Sequence, residues 1–339
     1  MKPERLKKAV ADIFGAAGMA PAHAQAVAEV LVWADLRGMG SHGVMRVPRY
    51  VELLRKGDLN ARPAMRTVSE TLAAVLFDAD RAPGPVAMIH AADAAAAKAR
   101  QAGIGLALAR NTTHTAALGY YTQRLAREGF AALAFAASSP NMAYHGARSA
   151  GVSTAPVSLA VPGPGEPLAL DMASGVISLG KLMQARRAGT PLAPGSALDP
   201  QGNETTDPRA AVLPLPLGGP KGSGLALLVE CLCSLLAGNP ILAEALEGTP
   251  KSRRHYQNGL VVAIEVERFI SAATFKVEVQ RLAGAIKALS PQPTAEILLP
   301  GERGARNARE RRDGIALPAP VLKELSELSA GLGVQWPVE

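Results

Sequence analysis

Leu6, Val10, Ile13 and Phe14 stand three or four residues apart, which predicts an opening helix ended by Gly15 or Gly18. Val27, Val30, Leu31 and Ala34 repeat that spacing after Pro21, a residue suited to a first helical turn. A third helix is expected from Pro48, through Tyr50, Leu53 and Leu54, to a stop at Gly57. The first 60 residues therefore read as a helical cap. From about residue 72 the pattern shortens. "AAVLFDA", "IGLALAR", "FAALAFAA", "VSLAVP", "LVVAIEV" and "FKVEVQ" are expected as strands, with helices near 84–101, 116–128 and 221–237. Val321, Leu322, Leu325 and Leu328 make the last 25 residues helical again. Strands and helices alternate without a strict βαβαβ rhythm, so the expected class is α/β of the mixed α+β kind, with antiparallel neighbours. No repeat and no long linker interrupts the chain.

Composition changes this picture little. The 339 residues are 48% hydrophobic and 19% charged, an ordinary globular balance that leaves room for one large domain or two to three lobes. Aromatics are only 4%, so alanine and small aliphatic side chains must fill much of the core. The net charge of +7 suits an anionic partner and keeps a non-catalytic basic binding protein in view as an alternative from another class. Only Arg303–Arg312 is locally dense in cations, with Glu302 and Glu310 diluting it, and no nucleic-acid-binding motif accompanies it; nucleic acid is not an expected partner. Cys231 and Cys233 form neither a CxxC nor a Cys/His array and are expected as a buried, reduced pair. The N-terminus lacks a signal-peptide core, and no apolar run reaches membrane-spanning length. The expectation is a cytoplasmic protein with no membrane partner.

Several familiar motifs fail. No G-x-G-x-x-G stands between a strand and a helix. "GVISLGKL" ends in Leu182 where a P-loop needs Ser or Thr for its metal. H-E-x-x-H, EF-hand and G-x-S-x-G patterns are missing, and no metal site is expected.

What survives is a set of His-, Arg-, Lys- and Gly-bearing segments. In "LRGMGSHGVMRVPRY", Ser41 is placed to cap a short turn with His42 and Arg46 four residues apart on one face, ended by Pro48. Arg46 suits bidentate binding of a carboxylate, and His42 suits proton exchange with a neighbouring hydroxyl or carbonyl. The same stretch also reads as a glycine bend with a solvated charge. "NTTHTAALGYY" puts His114 at a strand-to-helix junction, where Thr112 or Thr113 would cap and the helix dipole would lower the imidazole pKa; simple packing fits equally. His145 lies in a loop, and His23, His90 and His255 are expected at the surface. In "LPLGGPKGSGLALLVECL", Lys221 opens an apolar helix, an unfavourable place for a cation unless an anion binds there; a bare glycine turn is the other reading.

Taken in order, "LRGMGSHGVMRVPRY", "NTTHTAALGYY", "STAPVSLAVP", "LALDMASGVISLGKL", "GNETTDP", "LPLGGPKGSGLAL" and "PGER" resemble the malate/L-lactate dehydrogenase family that lacks a Rossmann fold, a group including ureidoglycolate, diketogulonate, sulfolactate and cyclic imino acid enzymes. The resemblance implies a nicotinamide-dependent oxidoreductase, a homodimer, and a mainly antiparallel cofactor-binding sheet joined to a helical lobe. It divides the chain into a lobe of residues 1–68 plus 312–339 and a cofactor-binding and dimerisation region of residues 69–311. His42, supported by Ser41, and His114 take catalytic positions; Arg46, Tyr50 and Thr154 take substrate positions. Ser138, Asp171, Met172, Ala173, Ser174, Lys221, Gly222, Gly301, Glu302 and Arg303 match cofactor-contacting segments. The chain departs from relatives at Ser153 and Ala155, where G-T-N-P is common, and at His145, where tryptophan is common. "HTAAL" and "PGERGARN" lean toward the cyclic imino acid reductases, but Leu179-Gly180-Lys181 replaces their His-Gly-Asp, and Lys181 cannot imitate that carboxylic acid. The expected reaction is hydride transfer between NADP or NAD and a small 2-oxo/2-hydroxy carboxylate, with a cyclic imino acid as runner-up substrate. The arginine-rich "GERGARNARERR" tilts the cofactor toward NADPH.

Overall fold

The computed structural model describes residues 1–248 and 255–337. Its helices are α1 (Pro3–Ala16), α2 (Pro21–Leu36), α3 (Val47–Lys56), α4 (Gly84–Ala102), α5 (Gly119–Arg127), α6 (Leu179–Ala188), α7 (Pro220–Glu230), α8 (Leu242–Leu246), α9 (Ala272–Lys287), α10 (Glu302–Glu310) and α11 (Ala319–Gly331). The strands are β1 (Arg66–Glu70), β2 (Ala74–Asp78), β3 (Ile104–Thr112), β4 (Phe130–Ser138), β5 (Met142–Ala143), β6 (Ala150–Val152), β7 (Val157–Val161), β8 (Leu168–Met172), β9 (Ala197–Leu198), β10 (Leu213–Pro214) and β11 (Gln257–Glu265).

Among the described residues the main sheet has seven strands in the order β1-β2-β3-β11-β4-β7-β8. Only β2 and β3 run parallel, joined by the α4 crossover; every other pairing is antiparallel. β11 is central, placing Leu260 beside Leu108 of β3 and Val261 beside Ala134 of β4. The low aromatic content has a direct consequence in packing. Ala91, Ala95 and Ala99 of α4 are buried on this sheet, and a β-carbon at Gly105 would lie 2.0 Å from the Ala95 carbonyl oxygen. Small residues let the helix settle almost onto the strand backbone.

One core joins α1, α2, α3 and α11 to α4 and one sheet face, through Phe14, Leu31, Tyr50, Phe77, Met88 and Leu325. The opposite face packs Leu108, Ala137, Val157 and Leu260 against Ala226 and Val229 of α7. Prolines in the first turn start α1, α2, α3, α4, α7 and α11, and left-handed glycines 57 and 103 end α3 and α4.

Four expectations need correction. "FKVEVQ" lies within α9 and is no strand: its apolar–polar alternation spans six residues, but the Ser271 hydroxyl caps a helix there by accepting the Thr274 N–H at 3.1 Å. The helix expected at 116–128 begins at Gly119, whereas the one expected from Pro48 begins at Val47 with Pro48 in its first turn, as read. The helix expected through 237 widens after Glu230 into a π-turn over Cys231–Leu235, where the buried Glu230 carboxylate accepts the Ser234 hydroxyl and the Ile241 and Leu242 N–H groups. Of the histidines expected at the surface, His90 is exposed, whereas His23 and His255 are half-buried, the latter with Nε2 3.1 Å from Arg49 of α3. Among the described residues no helix is long and apolar enough to cross a membrane.

Candidate active site

The segment between α2 and α3 is built as two consecutive 3-10 turns, Gly40–His42 and Val44–Arg46, hinged at an extended Gly43. The expected single capped turn does not form. The Ser41 hydroxyl turns instead to its neighbour, 3.0 Å from His42 Nδ1, which leaves Nε2 for other partners. Arg46 donates from Nε to the Ser41 carbonyl oxygen at 2.6 Å, closing the two turns on each other. Among the described residues no carboxylate pairs with Arg46, so its terminal nitrogens are left for an anion.

His114 reaches this bend from the other side, just beyond β3. Its ring stacks on that of His42, with centroids 5.7 Å apart and planes inclined by 21°. The Tyr50 hydroxyl, projecting from α3, lies 2.6 Å from His114 Nδ1. Thr113 does not cap α5; its hydroxyl donates to the Ala82 carbonyl and accepts the Gly84 N–H at the start of α4. Thr115, directly after His114, donates its N–H to Gln257 Oε1 of β11 at 3.0 Å. A β-carbon at Gly84 would lie 2.1 Å from the His114 carbonyl oxygen, so the start of α4 presses directly on this segment.

The electrostatics follow from burial beside a cation. Burial, then the Arg46 charge, holds His42 down to about 4, against an ordinary 6.5. The same causes, with His42 added, push His114 well below its ordinary value. Burial rather than a helix dipole is therefore the main reason that His114 is neutral. Burial raises the Tyr50 phenol, and Arg46 partly offsets this. At neutral pH the site holds one guanidinium, two neutral imidazoles and a neutral phenol, a proton-transfer group beside an anion anchor.

The segments matched to a cofactor converge on a second region. Ser138 ends β4. The Ser174 N–H donates to the Thr154 carbonyl oxygen at 2.9 Å, and the Leu217 N–H donates to the Ser174 carbonyl at 2.8 Å. Thr154 is thereby tied into this region, its own N–H donating to Asn141 Oδ1 at 2.7 Å. Gly218 and Gly219 both adopt φ of +59°, and Lys221 stands exposed at the start of α7. A β-carbon at Gly222 would come 2.6 Å from the Ser174 carbonyl oxygen. Gly301, at φ +85°, opens α10 beside Ala169 of β8, whose N–H donates to Pro300. Met172 and Ala173 are half-buried on the same stretch. Asp171 Oδ2 accepts the Gly119 N–H at 2.8 Å, and burial raises its pKa to about 6 against that bond. This carboxylate links the cofactor-matched strand to the start of α5, a few residues past His114. Glu302 is engaged structurally, accepting Lys287 Nζ at 2.7 Å and the Leu299 N–H at 2.9 Å, whereas Arg303 is exposed.

Two observations test this cradle for a dinucleotide. Among the described residues the Ser174 hydroxyl is fully buried without a hydrogen-bond partner. Lys221 also stands exposed at the start of α7, behind Gly218 and Gly219, a cation at a helix N-terminus where a bound anion makes the placement favourable. The residues fit such a group. The two regions meet at α6, where a β-carbon on Gly180 would lie 2.2 Å from the Ser41 β-carbon, with Lys181 beside it and exposed.

Asp35, Gly43, Gly84, Gln257 and Arg311 all shape this site and were not singled out from the sequence. Asp35 alone left a signal, as the acid shortly before the Ser-His pair.

Residues 1–326 match the family described as malate/L-lactate dehydrogenase. L-sulfolactate dehydrogenase from Methanocaldococcus jannaschii is 34% identical over 337 residues, covering 98% of this chain and 97% of that protein. The Δ1-pyrroline-2-carboxylate/Δ1-piperideine-2-carboxylate reductase of Pseudomonas putida is 31% identical, covering 95% of each. The solved malate dehydrogenase of Pyrococcus horikoshii superposes with a TM-score of 0.90 at 31% identity, over 99% of this chain and 96% of that one.

Proposed function

The chain belongs to the malate/L-lactate dehydrogenase family, and on that premise we propose that it moves a hydride between a nicotinamide dinucleotide and the 2-carbon of a small 2-oxo/2-hydroxy carboxylate. The observation that carries this reading is Arg46: a half-buried guanidinium, unpaired by any carboxylate among the described residues, beside two neutral histidines. When bound, the nicotinamide supplies or accepts the hydride. Arg46 holds the substrate carboxylate, which fixes the 2-carbon for transfer. His42, with Nδ1 occupied by Ser41, exchanges the proton of the 2-oxygen through Nε2. In the oxidative direction the neutral imidazole is ready as a base. In the reductive direction the bound carboxylate screens Arg46, which removes the smaller of the two causes that lower the His42 pKa and so raises its proton affinity. His114, oriented by Tyr50, presents a second ring nitrogen to the same pocket.

The cofactor lies in this reading along Ser138, Asp171–Ser174, Lys221–Gly222 and Gly301–Arg303. The strand pairing supports a non-Rossmann cofactor region, since a doubly wound dinucleotide domain is mostly parallel and this sheet is mostly antiparallel. NADPH is favoured because Arg306, Arg311 and Arg312 are occupied by Glu296, the Asp35 carbonyl and Asp313, leaving Arg303 and Arg309 for a 2′-phosphate. Residues 1–68 with 312–339 serve as the lobe that carries the acid–base bend, and residues 69–311 as the cofactor and dimer region, in a cytoplasmic enzyme.

A homodimer is part of the proposal. The chain exposes 16291 Å², whereas a monomer of 35.1 kDa scales to about 13,000 Å². Leu228, Leu232, Leu235 and Leu236 are 61%, 44%, 52% and 59% exposed along α7 and its extension. A second copy of the chain covers that face at the scale of an obligate interface.

The runner-up substrate is a cyclic imino acid, favoured by the Pseudomonas putida relative. Against it stands the exposed Lys181 beside the Ser41 contact. Steady-state assays of pyruvate, oxaloacetate and Δ1-piperideine-2-carboxylate with both reduced cofactors separate the two. Absence of NAD(P)H binding in a fluorescence titration would leave only the non-catalytic binding protein.

A further inference from the structure

Asp35, in the last turn of α2, is 6% exposed and takes no direct part in the chemistry above. Its carboxyl lies under the Gly40–Arg46 bend. Oδ2 accepts the Val44 N–H at 2.7 Å, and Val44 stands between His42 and Arg46. A β-carbon at Gly43 would fall 2.1 Å from Oδ1 and 2.3 Å from Cγ, so the hinge between the two turns rests directly on the carboxyl. Gly40 borders the same oxygen, its would-be β-carbon 3.7 Å away. From the other side, Arg311 beyond α10 donates from Nη1 to the Asp35 carbonyl oxygen at 2.6 Å.

A buried carboxyl with one backbone donor is an expensive way to fill space. Burial raises this one to about 7, against the pull of Val44 N–H and Arg311. A purely structural contact between a helix and a turn is met more cheaply by an apolar side chain. What the carboxyl provides is a fixed acceptor for the Val44 N–H between the proton-transfer residue and the anion anchor, packed against Gly43, where no side chain larger than hydrogen fits.

We propose that Asp35 is the positioning residue of the active site, a seat matched to Gly43 that fixes His42 and Arg46 relative to each other. The inference rests on the reading of His42 and Arg46 as acid–base group and carboxylate anchor. Misplacement of a reacting group by about 1 Å costs on the order of 10²-fold in rate, which sets the size of the effect.

The test compares Asp35→Ala, Asp35→Asn, Gly43→Ala and the Asp35→Ala/Gly43→Ala pair with the wild type. The readouts are kcat and KM on the fastest substrate of the panel and NAD(P)H affinity by fluorescence. Asp35→Ala is expected to lose about 10²-fold in kcat/KM, divided between a lower kcat and a higher KM for the carboxylate, with cofactor affinity kept within about twofold. Asp35→Asn keeps an acceptor for Val44 N–H and recovers to within about tenfold of the wild type. Gly43→Ala loses at least as much as Asp35→Ala, and the double variant is no worse than Asp35→Ala, because the added methyl takes the space the carboxyl left.

Wild-type kcat and KM in Asp35→Ala overturn the proposal, as do losses that simply add in the double variant. If Asp35→Ala does not fold, Gly43→Ala and Asp35→Asn decide the matter: a folded Gly43→Ala with wild-type kinetics overturns it. His42→Ala and Arg46→Ala, run alongside, keep the two failures apart. Wild-type kinetics in those variants would remove the underlying reading, whereas losses there without a loss in Asp35→Ala would remove only the seat.

Discussion

The Tyr50 hydroxyl meets His114 at two atoms, 2.6 Å from Nδ1 and 3.1 Å from the backbone carbonyl oxygen of the same residue. A phenol has one proton. When Tyr50 donates it to the carbonyl, Nδ1–H donates to the phenol oxygen and Nε2 is a bare acceptor. When Tyr50 donates to Nδ1, Nε2 carries the hydrogen. The two arrangements hold the same number of protons, so one buried hydroxyl lets the neutral His114 ring present Nε2 either as an acceptor or as a donor.

Tyr50→Phe removes that arrangement while keeping the aromatic packing against Phe14. The variant is expected to lose about 1–3 kcal/mol of stability from the unsatisfied polar atoms left behind. Its kcat is expected to fall about tenfold or more as His114 loses its orientation. Denaturant unfolding and steady-state kinetics check the two effects separately. A wild-type kcat would show that the His114 ring needs no help from Tyr50.

Binding of an unreactive carboxylate is expected to take up protons. Free His42 titrates near 4 because it is buried and beside Arg46. A bound carboxylate cancels the Arg46 contribution, so the His42 pKa rises on binding. By linkage, oxamate affinity in the presence of reduced cofactor increases as pH falls from 7 toward 4. Calorimetry in two buffers of different ionisation enthalpy measures the uptake. No uptake across that range would separate His42 from the carboxylate anchor.

Asp171→Asn is expected to change how stability depends on pH. Burial raises the folded-state pKa of Asp171 to about 6, above its ordinary 3.8, so the folded protein binds the extra proton between those values. The stability contributed by that proton is present below 3.8 and is lost as pH rises through 6. The asparagine can still accept the Gly119 N–H, so the variant gains on the wild type as pH climbs from 4 to 7. Melting temperatures across that range report the difference, and parallel profiles would contradict it.

Gly84→Ala introduces a methyl where the His114 carbonyl already lies 2.1 Å from the β-carbon position. Either α4 or the His114 segment must move, with an expected loss of about 1–3 kcal/mol. Activity is expected to fall with it, while the proposed cofactor region at Ser174 and Gly222 lies on other elements and is expected to keep its NAD(P)H affinity. Thermal unfolding and fluorescence titration of the same variant read both outcomes.

Leu228→Glu combined with Leu232→Glu places two charges on the exposed face of α7 and its extension. Sedimentation should show a wild type of about twice 35.1 kDa and a variant at the monomer mass. A wild-type monomer would end the dimer proposal.

Much of this architecture was readable from periodicity. Leu6 through Phe14 and Val27 through Ala34 marked helices because their buried faces are continuous, and "IGLALAR" and "FAALAFAA" marked strands buried in the centre of the sheet. "FKVEVQ" failed for the converse reason. α9 buries no residue, and although Phe275, Val279, Leu282 and Ile286 recur at helical spacing, the short alternation through Val277 and Val279 looked like a strand. The residues proposed for proton exchange and carboxylate binding, His42 and Arg46, stood out through order and chemistry, since histidine and arginine near glycine-rich bends are distinctive residue types. The supporting groups were not. Asp35, Gly84 and Gln257 act through contacts with residues that are adjacent in space, and their spacing along the chain gives no hint of it. The reason His114 is neutral was also hidden, because its burial arises from α3, β3 and the start of α4 closing on one point.

The central claim is tested most directly by one assay: reduction of pyruvate, oxaloacetate and Δ1-piperideine-2-carboxylate with NADPH and NADH, by the wild type and by His42→Ala. The account predicts that a 2-oxo acid is turned over in step with cofactor oxidation, and that His42→Ala slows this by about 10²–10⁴, the range for loss of a general acid. Turnover of none of the three, or an unimpaired His42→Ala, would contradict it.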